Sequence, residues 1–229
     1  MLKLGLGLYI KPAAGGAVAP VDPRVYSAND NSDNLYELNV STLAEINSGS
    51  GGGNATGIGG SGADTRLYST IGATVGGTTF ERNLDTLASL NSKAYDSAYR
   101  FTGCGGTKDQ LFVCDRDQDA IHRMDLDTLA ILSTVGHPDA TPRGVGGTLA
   151  RVFCAGNDGD TRYEHNPSTL AVINSATATS NPVGMGGTTE TLYSADASAG
   201  KYYTVNQDTL ATIDTFNSRV SPSGIGGIK

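Results

Sequence analysis

The sequence predicts an all-β protein, a five-bladed β-propeller with four short strands in each blade. Three observations carry that expectation. A segment of the form Asp/Ser-Thr-Leu-Ala-x-Ile/Leu occurs five times, at Thr42-Leu43-Ala44, Thr86-Leu87-Ala88, Thr128-Leu129-Ala130, Thr169-Leu170-Ala171 and Thr209-Leu210-Ala211, in steps of 40 to 44 residues, the length of one blade. A second anchor, Gly-x-Gly-Gly, starts at Gly57, Gly103, Gly144, Gly184 and Gly224 and keeps step with the first. The 229 residues include 31 Gly, no Trp and only 17% charged residues, a turn-rich composition without the 3.6-residue apolar spacing that a long helix needs.

Each strand of a blade has its own mark. Gly-x-Gly-Gly suits the innermost strand, because strands crowd where the blades meet and leave no room for side chains. An aliphatic-aromatic pair follows at Val25-Tyr26, Leu67-Tyr68, Leu111-Phe112, Val152-Phe153 and Leu192-Tyr193. The third segment carries Tyr36, Phe80, His122, Tyr163 or Tyr203, and a turn residue three before the Thr, namely Asn39, Asn83, Asp125, Asn166 or Asn206. Thr-Leu-Ala-x-Ile leads into the fourth. The first copy begins at Val25 without a glycine segment, and an unused one lies at Pro222 to Gly227. The C-terminal strand is therefore expected to complete the first blade, which removes two exposed sheet edges. Least regular are the glycine-rich stretch Ser48 to Gly62 and the second blade, with Gly72 and Gly76-Gly77.

The propeller spans residues 25–229, and residues 1–24 form a separate arm. Leu2, Leu4, Leu6, Leu8 and Ile10 alternate with Lys3, Gly5, Gly7, Tyr9 and Lys11, a period of two that gives one apolar face to a strand. A small-residue linker, 12–20, follows. The arm either packs on the propeller's own rim or adds to a sheet edge of another subunit or protein, with the Leu row supplying specificity. The second reading is taken forward, because the ring closes without the arm. Interrupting glycines and Lys11 argue against a signal peptide.

Pro-x-Gly-Ile/Val/Met-Gly, Leu-Tyr-x-Ala-Asp at Leu192 to Asp196 and Tyr-x-x-Asn-x-x-Thr resemble YVTN/NHL-type propeller repeats, over residues 25 to 227. That resemblance implies the fold and is silent on activity, since such propellers include binding platforms, surface proteins and enzymes. The Met-Leu-x-Leu-Gly-Leu-Gly-Leu start with its linker resembles the N-termini of tailed-bacteriophage virion proteins. It implies a capsid decoration, fibre or tail component anchored by its arm.

Candidate chemistry is sparse. Asp85, Asp127 and Asp208 recur before the repeated Thr and read as turn residues capping backbone N–H groups. The nonrepeated Asp115, Asp117, Asp119 and Asp158 lie in turn-like stretches. Asp115-Arg116-Asp117-Gln118-Asp119 has the alternating oxygens of a calcium loop but lacks the sixth-position Gly and the twelfth-position Glu, so it reads as a hairpin turn, like Asn157 to Asp160 and Asn29 to Asp33. His122, His137 and His165 show no metal-ligand spacing. Cys104, Cys114 and Cys154 are read as thiols, with Cys114 and Cys154 on opposite strand faces and hence unpaired. Tyr95, Tyr99 and Tyr202 fall outside the repeat anchors and are the only aromatic ligand-binding candidates.

The sequence reading is thus a structural or interaction protein and no enzyme, with no catalytic residues, cofactor or metal. Its partners are virion or assembly proteins bound through the arm, with a host-surface ligand and homo-oligomerisation on the particle left open. A net charge of -7 argues against nucleic acid, and no apolar run approaches the length of a membrane span. Alternatives are a secreted or surface propeller binding glycan or peptide, then a glycosidase with paired carboxylates near the axis.

Overall fold

A computed structural model describes residues 23–29, 31–61, 66–72, 76–148, 150–178, 181–218 and 221–228. Twenty strands form five antiparallel four-stranded sheets. Blade 1 consists of β1 (Arg24–Asn29), β2 (Asn34–Leu38) and β3 (Glu45–Ser50), with β20 (Gly224–Ile228) paired to β1 as its innermost strand. Blade 2 is β4 (Ala55–Ser61), β5 (Arg66–Gly72), β6 (Gly77–Arg82) and β7 (Ser89–Ala94). Blade 3 is β8 (Phe101–Thr107), β9 (Gln110–Asp115), β10 (Ala120–Met124) and β11 (Ile131–Gly136). Blade 4 is β12 (Pro142–Gly147), β13 (Val152–Gly156), β14 (Thr161–His165) and β15 (Val172–Thr177). Blade 5 is β16 (Pro182–Gly187), β17 (Leu192–Asp196), β18 (Lys201–Val205) and β19 (Thr212–Asn217). The expected closure by the C-terminal strand is present, and the irregular second blade keeps the four-strand pattern.

The inner strands touch in sequence, β4 to β8 to β12 to β16 to β20 and back to β4. At that ring the glycines are obligatory. A Cβ placed on Gly57 would lie 2.3 Å from the Cα of Gly103, and the same overlap runs through Gly103, Gly144, Gly184 and Gly224 back to Gly57, at 2.3–2.9 Å. Two residues along each strand, Gly59, Gly105, Gly146, Gly186 and Gly226 make a second ring, at 2.5–2.9 Å. The intervening residue points the other way. Ile58, Cys104, Val145, Met185 and Ile225 are all buried, each in the cluster shared with the preceding blade.

Five apolar clusters, one between each pair of neighbouring blades, make up the core. Each receives one leucine from the turn between the third and fourth strands. Leu43, Leu87, Leu129, Leu170 and Leu210 all hold left-handed backbone, with φ of 51° to 59°, and all are buried. Left-handed backbone disfavours a branched residue. Here the turn overdetermines it: the Asn39 side chain accepts from the amides of Ser41 and Thr42 at 3.0 Å, while its carbonyl accepts from Leu43 N–H at 2.8 Å. The same pattern recurs at Asn83, Asp125, Asn166 and Asn206.

The glycine contacts predict a sharp contrast between two substitutions. Gly146→Ala would place a Cβ 2.3 Å from the carbonyl oxygen of Met185 and is expected to cost about 2–4 kcal/mol in denaturant unfolding. Gly136→Ala, on β11, meets nothing within 4 Å and is expected to change stability by under about 1 kcal/mol.

Candidate functional site

Among the described residues, the propeller axis offers little chemistry. None of the five inner strands carries an Asp or Glu. The residues preceding the first glycine ring, Thr56, Thr102, Arg143, Val183 and Ser223, line a cavity of about 60 Å³ together with Ala197. That is room for a few waters, well below the several hundred Å³ of an ordinary ligand pocket. Two open clefts flank Pro23, the first described residue. One of about 530 Å³ runs along Leu38, Val40 and Ile46, and one of about 290 Å³ lies against Val40, Thr189 and Tyr193.

Asp85, Asp127 and Asp208 do not cap the turns, as expected from sequence; the residue two positions earlier does. Their exposed carboxylates instead reach across to the preceding blade, where they pair with Arg24, Arg66 and Arg151. Each arginine is held by a glutamate on its own blade, Glu37, Glu81 or Glu164, at 2.7–2.9 Å. Asn47, Asn91 and Asn174 add a hydrogen bond to the Asp carbonyl. The module joins blades 1 to 2, 2 to 3 and 4 to 5. At the other two interfaces every member changes together, to Gln110, Arg123, Ser133 and Ser168, and to Thr191, Thr204, Asp214 and Ser41.

Of the three nonrepeat tyrosines, Tyr202 is buried and Tyr95 and Tyr99 are half-buried. Tyr95 packs edge-on and Tyr99 tilted against Phe101, and Tyr202 donates across the closing interface to Ser27 Oγ at 2.8 Å. On the rim, an aliphatic side chain of each fourth strand faces solvent, Ile46, Leu90, Leu132, Ile173 and Ile213, each 58–63% exposed, and blade 4 adds Val172. The proposed docking residues Leu2, Leu4, Leu6, Leu8 and Ile10 lie outside the described residues.

Two of the buried polar groups are built around histidine. Asp115 Oδ1 accepts from the amides of Arg100, Asp117 and Gln118, and Oδ2 lies 3.2 Å from His122 Nε2. The stretch from Asp115 to Asp119 is therefore a hairpin turn, with Asp119 at φ 48°. Burial opposes ionisation of Asp115, but these hydrogen bonds outweigh it and lower its pKa. The second group was missed by sequence reasoning. His137, after β11, and His165, at the end of β14, place ring nitrogens with Cys154 Sγ of β13 so that the three donor atoms lie within 4.8 Å of one another. Cys114 Sγ is 3.4 Å from Cys154 Sγ.

Cys114 and Cys154 do occupy opposite faces of equivalent strands. All three cysteines are free thiols, as expected, yet Cys114 and Cys154 come close, because opposite faces of successive blades are the ones a propeller presses together. His137 is turned inward by an unusual replacement. Gly156 has no side chain to cap its hairpin, and Asp139 enters instead, accepting from the amides of Thr141, Asp158 and Gly159 at 3.1–3.3 Å. Burial opposes ionisation of the Cys154 thiol, yet the hydrogen bond from Cys114 and the neighbouring His137 hold it below the ordinary thiol range. Burial also opposes charging of His137, but Cys154 and the Asp139 backbone raise its pKa. Burial alone drives Cys104, in another cluster, up to about 12.

No protein-family model and no curated protein matches the chain. Solved structures share its fold. The glutaminyl cyclase of Myxococcus xanthus matches with a TM-score of 0.61 at 9% identity over 72% of this chain and 70% of that one. A chain of the nidogen/laminin complex matches with a TM-score of 0.60 at 10% identity, covering 90% and 98%. A protein of unknown function from Bacteroides caccae reaches 0.52 at 12% identity, covering 85% and 73%. At such identities the likeness establishes a five-bladed propeller and nothing about chemistry. Among the described residues, no helix is long and apolar enough to cross a membrane.

Asp115 sets a pH-dependent test. A carboxylate with a lowered folded pKa contributes stability that is complete above its unfolded value, about 3.9, and is lost as pH falls through the lower folded value. Asp115→Asn should therefore destabilise the protein by about 1–3 kcal/mol at pH 7. The gap to wild type should narrow below about pH 4, as followed by thermal melts across pH.

Proposed function

We propose that this protein is a noncatalytic structural and interaction component, a bacteriophage virion protein whose propeller is displayed on a particle and held there through residues 1–24. The observation that carries the interaction reading is the rim. Among the described residues, the five outer strands have no strand paired to their outward edges, and each exposes an aliphatic residue, Ile46, Leu90, Leu132, Ile173 or Ile213. Edges of this kind accept an added strand. The alternating Leu2 to Ile10 segment has the pattern of such a strand. The glycine-filled axis supports the noncatalytic part, because among the described residues the five inner strands carry no carboxylate and the cavity they line is small.

The virion setting rests on the resemblance of the arm, and the repeat type on the YVTN/NHL-like motifs. Glutaminyl cyclase activity belongs to the Myxococcus protein and association with laminin to the nidogen complex; neither is carried over to this chain.

The test compares the full chain with a form lacking residues 1–20. Circular dichroism and thermal melts report folding, and co-sedimentation with particles from the source reports association. A truncated ring that stays folded and no longer associates supports a docking arm. Retained association overturns the reading. So does unfolding of the truncated ring, which would place the arm against the clefts beside Pro23 as part of the domain.

A further inference from the structure

Between blades 3 and 4, three buried donors, from His137, Cys154 and His165, lie within 4.8 Å of one another, and a second thiol, Cys114 Sγ, stands 3.4 Å from Cys154 Sγ. We propose that His137 Nε2, Cys154 Sγ and His165 Nε2, with Cys114 Sγ as the fourth donor, bind one thiophilic transition-metal ion of the zinc type, which staples these two blades together. Several independent features of the cluster support it.

The donor atoms are ready for a metal and poorly satisfied otherwise. His137 Nε2 and His165 Nε2 are buried without a hydrogen-bond partner, in residues only 8% and 1% exposed. Leaving a buried polar atom unpaired is costly. The outer nitrogen of each ring is already engaged. His165 Nδ1 donates to the Leu170 carbonyl at 2.8 Å, so a neutral ring turns a bare lone pair at Nε2 toward the cysteines. His137 Nδ1 accepts from the Asp139 amide at 3.0 Å and lies 3.2 Å from the Asp139 carbonyl. Metal binding at Nε2 selects the other tautomer, in which Nδ1 donates to that carbonyl. Backbone carbonyls in this position are the usual means of orienting a metal-bound imidazole.

The sulfurs fit the same ion. Their separation of 3.4 Å is close to the edge of a tetrahedron with metal–sulfur bonds of about 2.3 Å, roughly 3.8 Å. A cation seated between the sulfurs and the ring nitrogens would pair all of them at once. Two thiolates and two imidazoles select Zn²⁺ or a similar borderline or soft ion over Mg²⁺ or Ca²⁺, which take oxygen ligands.

Location supplies a reason for the staple. Blades 3 and 4 meet at one of the two interfaces that lack the Arg–Glu–Asp module, with Gln110 and Ser168 where arginine and aspartate stand elsewhere. The other such interface, between blades 5 and 1, is crossed by the Tyr202–Ser27 hydrogen bond and follows directly on the closing strand. Ligands drawn from both blades would join them at the first interface.

The test uses the full chain purified under reducing conditions. Elemental analysis after dialysis is expected to find one zinc per chain. Titration of metal-stripped protein with Co²⁺ is expected to give tetrahedral ligand-field bands and thiolate-to-cobalt charge transfer. Zinc should raise the melting temperature above that measured with a chelator. Cys154→Ser and His165→Gln should weaken zinc binding by more than about tenfold, and Cys104→Ser, which alters a thiol in a different cluster, should leave it unchanged. Because the first two variants can lose the fold, the wild-type chain decides the matter alone. A folded wild-type protein with substoichiometric metal, no tetrahedral cobalt spectrum and the same melting temperature in zinc and chelator overturns the proposal. So does thiol counting in denaturant that finds Cys114 and Cys154 joined as a disulfide.

Discussion

Everything in this fold depends on how closely five backbones approach at the axis. Gly57, Gly103, Gly144, Gly184 and Gly224 leave no room for even one methyl group between successive inner strands, and a second ring two residues along repeats the constraint. Because side chains alternate along a strand, the same spacing aims Ile58, Cys104, Val145, Met185 and Ile225 into the clusters between blades. The axis thus determines where the core lies. It also makes the C-terminal strand indispensable to the geometry, since β20 supplies the fifth member of both glycine rings.

Outside the axis the blades are joined by devices that vary. Three interfaces share the arginine held by a glutamate on its own blade and reaching an exposed aspartate on the next. Exposed ion pairs contribute little individually, so their value lies more in fixing how one blade sits on its neighbour, with the planar arginine fork gripping two carboxylates. The interface between blades 3 and 4 has instead a buried cluster of cysteine and histidine. On the rim, the outer strands have no further strand paired to them among the described residues, and each exposes at least one aliphatic side chain.

Repeats made most of the fold legible in the sequence. Period, glycine anchors and the orphan segment at Pro222 to Gly227 give the blade number and the closure, because each is a local pattern copied five times. What escaped was nonlocal or blade-specific. Asp85, Asp127 and Asp208 were read as caps because they sit in turns, although a signal for their real role was present: arginine, glutamate, asparagine and the next blade's aspartate appear and disappear as a set. No such signal marks His137, Cys154 and His165. They lie 17 and 11 residues apart and meet only because successive blades press opposite faces together and because Gly156 yields its place to Asp139.

Native-state amide hydrogen exchange of the full chain tests the central claim most directly. If the glycine rings make one cooperative unit, the amides of Gly224 to Ile228 should exchange only through global unfolding, with the same free energy as those of β4, β8, β12 and β16. Exchange of β20 at a markedly lower free energy than the other four inner strands would show that the ring holds together without its closing strand, and would contradict this account.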